Sequence, residues 1–461
     1  MEKKKKEKSV TNEVRLASME KGFFHLRSGK RVLKSEVVRS RLESTEKKKK
    51  KKKKFVSATK KNEFVSTNYI PDDIAFSILS KLPLKSFKRF ECVRKSWSLL
   101  SENTHFMNMF RNNFLSSSNS RYDGASLFLK VPTWPDMSEI QVLYNLSGDR
   151  FQNMVKFDFS NPFEHNTFFD IFGFGSINGT ILLHQHCRYI HALWHPATQK
   201  FKILPPSPYE SYVPDDVKRH FNIVCYLDGF GYDSVTDDYK VIRYVFFADP
   251  NNEQYQCLGN KYFEPLWEIY SLRSNSWRKL DVDMPPSLDT TEGNHVYMDG
   301  VCHWLCQNDY GYWKKHNIPF QPSLVSFYLS KEGFFITPVP SDVDDSFDVE
   351  TNWRNLAVLN GSIALISYYE KTTTFHISIM GEIGMKESWT NLFTIGPLPC
   401  VDRPIGVGTK GEIFFIRNDE ELAWFDLSTQ MIEELGFKVD MPGCRITIYK
   451  ESILPFEGIN D

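Results

Sequence analysis

One strand–turn–strand unit recurs through most of this sequence, and it limits the chain to few architectures. Turn glycines precede apolar runs at Gly179 (INGTILL), Gly231 (FGYDSV), Gly300 (MDGVCHW), Gly361 (LNGSIAL) and Gly411 (TKGEIFF), at intervals of 52, 69, 61 and 50 residues. A second element follows each glycine: LWHPATQKFKILP from Leu193, IYSLRSNSWRKLD from Ile269, VSFYLSKEGFFITPVP from Val325, HISIMGEIGMKESW from His376 and WFDLSTQMIEELG from Trp424. Each reads as an apolar strand, a polar turn and a second apolar or aromatic-bearing strand. One such unit cannot bury its own apolar face, so neighbours must stack. The interval is close to that of a propeller blade of about 40–50 residues. Residues 123–174 supply one more unit, with Leu127–Val131 and Ile140–Leu146 as strands. The count predicts a mainly β fold over 123–450, a β-propeller of about six blades whose ring closes by pairing strands from its two ends. Phe, Tyr and Trp make up 15% of the chain, which suits strands.

A different texture precedes the repeats. Residues 69–115 read as a small helical module. Pro71 suits a first helical turn, and Asp72 and Asp73 sit where the helix dipole favours carboxylates. Ile74, Ile78, Leu79 and Leu82 fall on one helix face, and Pro83 stops the helix. Ser86 is placed to cap a second short helix carrying Phe87 and Phe90. A third helix is expected over Val93, Trp97 and Leu100, at i, i+4 and i+7. So short a segment cannot bury all this apolar surface alone, so another protein should cover part of it. Residues 116–122, opening on SSSNS, read as a linker, and 451–461 as a C-terminal tail.

Charge is divided along the chain. The totals balance at 57 basic and 57 acidic residues, but residues 1–68 hold 23 basic against 8 acidic. That leaves an arm of about +15 on a body of about −15. Lys47, Lys48, Lys49, Lys50, Lys51, Lys52, Lys53 and Lys54 are an unbroken run, and an arm so charged and so poor in apolar residues is expected to be disordered. The run fits a nuclear localisation signal, a weak nucleic-acid tether or a solubilising arm. No helix or sheet reader accompanies it, which argues against sequence-specific DNA binding. The expected localisation is nucleus and cytoplasm. Eight dispersed cysteines without a CxxC pair suggest reduced thiols. No apolar run reaches the ~18 residues of a membrane span, and the N-terminus lacks a secretory signal's apolar core.

Two clusters have the residue types of a metal site. His184, His186, Cys187, His191 and His195 lie close in sequence, yet on a strand His184 and His186 share a face that Cys187 does not. Cys302, Trp304 and Cys306 share a strand face and read as a core stripe, with His303 pointing outward. Both patterns fit ordinary blade hairpins, so no metal or cofactor is expected. Asp342, Asp344, Asp345 and Asp348 read as a solvated loop, and Gly173 and Gly175 are too sparse for a nucleotide loop. No nucleophile–base order appears, so the chain is expected not to be an enzyme.

The stretch Ile-Pro-Asp-Asp-Ile at 70–74, then Ile-Leu-Ser-Lys-Leu-Pro-Leu-Lys-Ser at 78–86, then Arg-Phe-x-Cys-Val-Arg-Lys-Ser-Trp at 89–97 resembles the F-box of plant F-box proteins. Ser77 stands where that family often has Glu. The units from about 124 to 449 are similar to the F-box-associated, kelch-like domain. There Leu193–Pro205 follows the family's LWNPxTxxxxxLP, with His195 replacing Asn. The resemblance implies a substrate-recognition subunit of a Skp–cullin–F-box ubiquitin ligase, non-catalytic, partnered by a Skp-type adaptor and an unidentified target protein. It implies adaptor contacts from Ile70, Pro71, Ile74, Ile78, Leu82, Pro83, Leu84, Val93 and Trp97. The alternative is a scaffold or competitor that binds the adaptor without promoting degradation. Long excursions between blade elements carry Tyr209, Tyr212, Tyr255, Tyr310, Tyr312 and Trp313, the expected target-binding aromatics.

Overall fold

The computed structural model describes residues 70–116, 124–133, 140–163, 168–185, 190–208, 222–248, 265–285, 295–306, 322–339, 352–439 and 442–452. The chain divides into two units, Met1–Asn68 and Tyr69–Asp461. The lysine run, the Asp342–Asp348 patch, His186 and Cys187, and Tyr209, Tyr212, Tyr255, Tyr310, Tyr312 and Trp313 lie outside the described residues.

Three helices open the second unit: α1 (Asp72–Leu79), α2 (Leu84–Glu91) and α3 (Thr104–Ser116). Prolines start the first two. Pro71 and Pro83 are extended, with ψ of 142° and 147°, and their carbonyls accept the Ala75 and Phe87 N–H groups at 3.0 Å. Three expectations change here. Ser86 lies inside α2, because Pro83 takes the capping position. Residues 93–100 form turns and the start of a 3-10 turn (Leu100–Glu102) rather than a helix. The polar run after Val93 favours this, since Ser98 donates to the Lys95 carbonyl at 2.9 Å and competes with helical pairing. Finally, α1 does not turn its apolar residues to one side. Ala75 and Leu79 are buried, whereas Ile74 and Ile78 are about half exposed. The missing inner layer is α3, which buries Phe106, Met107 and Phe110 and starts where the Asn103 carboxamide accepts the Phe106 N–H at 2.9 Å.

The rest is β. Blade 1 takes β1 (Ser126–Thr133), β2 (Ile140–Ser147) and β3 (Asn153–Phe157), and blade 2 takes β4 (Asp170–Ile177), β5 (Thr180–Gln185), β6 (Ile190–His195) and β7 (Lys200–Ile203). Blade 3 is β8 (Asn222–Asp233), β9 (Asp238–Ala248), β10 (Leu266–Ser271) and β11 (Ser276–Leu280). Blade 4 is β12 (His295–Met298), β13 (Val301–Cys306), β14 (Ser323–Tyr328) and β15 (Gly333–Pro338). Blade 5 is β16 (Asn352–Leu359), β17 (Ser362–Tyr369), β18 (Thr374–Met380) and β19 (Trp389–Ile395). Blade 6 is β20 (Val401–Val407), β21 (Ile413–Arg417), β22 (Glu421–Asp426) and β23 (Met431–Lys438). The last strand, β24 (Arg445–Tyr449), completes blade 1 by pairing antiparallel with β1 from Ser126↔Tyr449 to Lys130↔Arg445. Among the described residues this is a six-bladed propeller of four-stranded antiparallel blades, closed as the sequence predicts by its two ends.

Local chemistry explains the hairpins. Asn178–Gly179, Asp299–Gly300 and Asn360–Gly361 all have positive φ at both positions, the mirror-image turn whose twist suits adjacent strands. Gly231 differs from the expectation: it lies within β8, where a Cβ would come within 2.6 Å of the Tyr297 and Leu329 side chains. Its smallness lets blades 3 and 4 approach. Aromatics fill the gaps between blades. Trp194 stacks 5.8 Å from both Phe128 and Phe201, joining blades 1 and 2, and Trp267 meets Trp304 at 5.7 Å between blades 3 and 4. Cys302, Trp304 and Cys306 share that core, as their alternation predicts. His303 does not face solvent as expected. It is fully buried, because the opposite face of β13 is also covered.

Candidate functional site

An exposed apolar surface of the helical module is built by α1 and the turns after α2. Ile74 and Ile78 are four residues apart and line one side of α1, Ile70 lies just before its first turn, and each of the three is about half exposed. Val93 is 68% and Leu99 59% exposed. Arg94 pairs with Asp72 at 3.3 Å, bringing the segment after α2 beside the first turn of α1. Phe90 is exposed, and its ring stands 6.0 Å from that of the half-buried Trp97. Large β-branched side chains exposed on a compact helical unit mark a surface that another protein covers.

The expected adaptor residues therefore fall into groups. Ile70, Pro71, Ile74, Ile78, Pro83 and Val93 are exposed, and Leu82 and Trp97 are half-buried. Leu84 is only 2% exposed and belongs to the core that α2 shares with α3 and the propeller. Phe90 and Leu99 were not among the expected contacts. The only signal for them in sequence is their place beside Trp97, since a helix through 93–100 would have turned Leu99 elsewhere.

The inner side of the module is fixed to blade 5. Lys85 and Arg89 converge on Glu382 at 3.4 Å and 2.9 Å. Desolvation is the largest single influence on Glu382 and opposes ionisation, but the hydrogen bonds and charges of Lys85 and Arg89 together outweigh it and hold the carboxyl below its usual range. Arg111 donates through Nε to the Leu392 carbonyl at 2.6 Å, and Phe114 approaches Phe393 at 6.5 Å. Leu79, Leu84, Phe87, Phe106 and Phe110 continue into one hydrophobic cluster with blade 5 residues such as Ile379 and Leu392. The module is thus a structural extension of the propeller, with one apolar face consumed by the junction and the other left open.

Elsewhere the histidines take structural positions. His184 and His191 face each other through Nδ1 at 2.9 Å, while His195 lies near Thr198 at 3.2 Å. Among the described residues no three His, Cys, Asp or Glu side chains converge as metal ligands. The six described cysteines form no disulfide.

Comparison with known proteins adds to this geometry. Residues 139–449 match the family described as the F-box associated beta propeller domain. The F-box protein CPR1 of Arabidopsis thaliana is 25% identical, over 80% of this chain and 84% of its own length. An F-box/kelch-repeat protein of the same plant is 24% identical over 79% of this chain and 90% of its own length. F-box only protein 8, also from Arabidopsis thaliana, is 25% identical over 60% of this chain and 82% of that protein.

Proposed function

This chain belongs to the F-box-associated β-propeller family, and from that premise we propose that it is a non-catalytic substrate receptor of a Skp–cullin–F-box ubiquitin ligase. The observation that carries the reading is the open apolar face of Ile70, Ile74, Ile78, Val93 and Leu99 on a module whose other side is already anchored. A Skp-type adaptor covers that face. The propeller holds a target protein through its inter-blade loops, where Tyr209, Tyr212, Tyr255, Tyr310, Tyr312 and Trp313 are the proposed contacts. The receptor works by raising the local concentration of target lysines near a conjugating enzyme bound elsewhere in the ligase. A module rigidly fixed to blade 5 supports this role, since a stiff joint gives a defined distance between adaptor and target.

Ile74→Asp combined with Ile78→Asp tests the adaptor face. Both side chains are half exposed, so the variant should keep its melting temperature while losing adaptor pull-down by at least tenfold, as expected when central apolar anchors are replaced by charge. Equal adaptor capture by the variant would refute the reading. The proposed nuclear and cytoplasmic distribution is tested separately, by changing Lys47–Lys54 to Ser in a fluorescent fusion. Nuclear signal should fall if the run is an import signal.

A further inference from the structure

A groove of about 300 Å³ lies between the helical module and blade 5, at the end of α1. Leu82 and Pro83, in the turn from α1 to α2, and Phe114 of α3 form its wall on the module side. Asn360 and Ser362, on either side of Gly361 in the β16–β17 turn, form its wall on the propeller side. Leu84, 2% exposed, lies beneath it in the shared core.

The groove is preformed and its rim is open. Asn113 donates to the Ser80 carbonyl at 3.2 Å and to Ser80 Oγ at 2.9 Å, which fixes α3 to the end of α1. The contacts of Lys85, Arg89 and Arg111 with blade 5 hold the two walls at a set distance. A groove already in place demands little ordering from its occupant. A Cβ added at Gly361 would meet nothing within 4 Å, so the tip of the turn faces free space. The side chains of Asn360, Ser362 and Lys81, all at the groove, make no hydrogen bond or ion pair among the described residues. What the groove adjoins identifies its occupant. Leu82 and Pro83 follow Ile78 by four and five positions, so the open face of α1 runs directly into it.

We infer that the adaptor covering Ile74 and Ile78 continues past the end of α1 and seats an apolar side chain in this groove, so that Asn360 and Ser362 of blade 5 belong to the same interface. The inference rests on the receptor reading above. The adaptor segment carries a carboxylate beside that side chain, opposite the exposed Lys81 ammonium, and hydrogen-bonding groups that meet Asn360 and Ser362. The adaptor then grips the propeller as well as the module, which fixes the distance between adaptor and target more firmly than the module alone.

Affinity of the full chain for a purified Skp-type adaptor from Arabidopsis thaliana, read by biolayer interferometry, tests it. Ser362→Arg fills the groove from the propeller side. It should weaken binding by at least about tenfold at an unchanged melting temperature, the loss expected when the pocket of an apolar anchor is blocked. Lys81→Glu, at an exposed position, should weaken binding by about threefold, and more at low salt. It decides the question if Ser362→Arg fails to fold, and wild-type affinity would then overturn the inference. Ile74→Asp with Ile78→Asp reports separately on the receptor reading. Wild-type affinity of Ser362→Arg, beside lost binding by that α1 variant, would overturn the inference and leave the receptor reading intact. Affinity kept at a lowered melting temperature would overturn it too, and assign the groove to residues 117–123, which follow Ser116 at its rim. If the α1 variant also binds normally, reading and inference fall together.

Discussion

Lys130 and Asp170 show how much a single side chain carries here. They form an ion pair between blades 1 and 2, with Lys130 only 1% exposed. Lys240 bonds Asp233 at 2.7 Å and also the Leu329 carbonyl at 3.1 Å, linking blade 3 to blade 4. Arg243 pairs with Glu268 at 2.8 Å and lies 4.1 Å over the Trp277 ring. Removing one member of a buried pair strands the other, at a cost of about 3–5 kcal/mol. Lys130→Ala should therefore lower the unfolding free energy by roughly that amount in urea titration, whereas Lys130→Met with Asp170→Leu should come much closer to wild type. His295 and His303 set a second expectation. Their folded pKa of about 3 lies below the ordinary 6.5, so the unfolded chain gains protons first as pH falls. Their contribution is complete above pH 6.5 and is lost as pH drops toward 3, at about 1.4 kcal/mol per pH unit for each imidazole. Arg445 near His295 works in the same direction. His303→Gln should remove one such slope from urea midpoints measured between pH 6.5 and 5, and an identical slope would contradict the assignment.

At the scale of elements, α2 is the joint on which geometry depends. One side inserts Leu84 and Phe87 into the shared core, and the other end sets Lys85 and Arg89 against Glu382 of blade 5. Phe87 is 1% exposed and packs against Phe106 at 5.1 Å and Phe110 at 5.4 Å. Phe87→Ala should destabilise the module by about 3–5 kcal/mol, the usual effect of truncating a buried aromatic residue. Glu382→Lys should loosen the module without melting the propeller. Hydrogen exchange in α2 should accelerate while blades 1–3 keep their protection, and unchanged exchange in α2 would show that the apolar contacts suffice. The helices themselves were only partly legible. Pro71 and the acidic first turn marked α1, since these act through local backbone geometry, whereas Pro83 reads in sequence as the end of α1 and proves also to be the cap of α2, which was expected at Ser86. Which face of α1 is buried was not legible, because that depends on α3 and on blade 5, hundreds of residues away.

For the whole molecule, ring closure is the central device. Blade 1 is completed only when β24 returns to β1, and β24 also meets β4 of blade 2 in parallel at Ile448↔Gly175. Phe128 and Tyr449 stack at 4.5 Å across that closure. Truncation after Gly443 removes the strand that joins the two ends, and the product should lose cooperative thermal unfolding by circular dichroism. Deleting residues 1–68 removes little apolar surface from the chain and should leave the midpoint unchanged.

The sequence determined the repeat and therefore the fold. Hairpin turns need residues that tolerate positive φ, and strands need alternating or continuous apolar runs, so Asn178–Gly179, Asp299–Gly300 and Asn360–Gly361 were readable at sight. The family-like motif at 70–97 was equally local. Tertiary structure alone decided the rest, because burial is a property of neighbours. It turned Leu84 inward and Ile74 outward, enclosed His303, and drew Lys130 and Arg243 into a core where a lone charge would not be tolerated. It also set His295 of blade 4 against Phe172 of blade 2, with ring centroids 4.7 Å apart, a contact no sequence motif announces because it depends on how the blades are arranged about the ring.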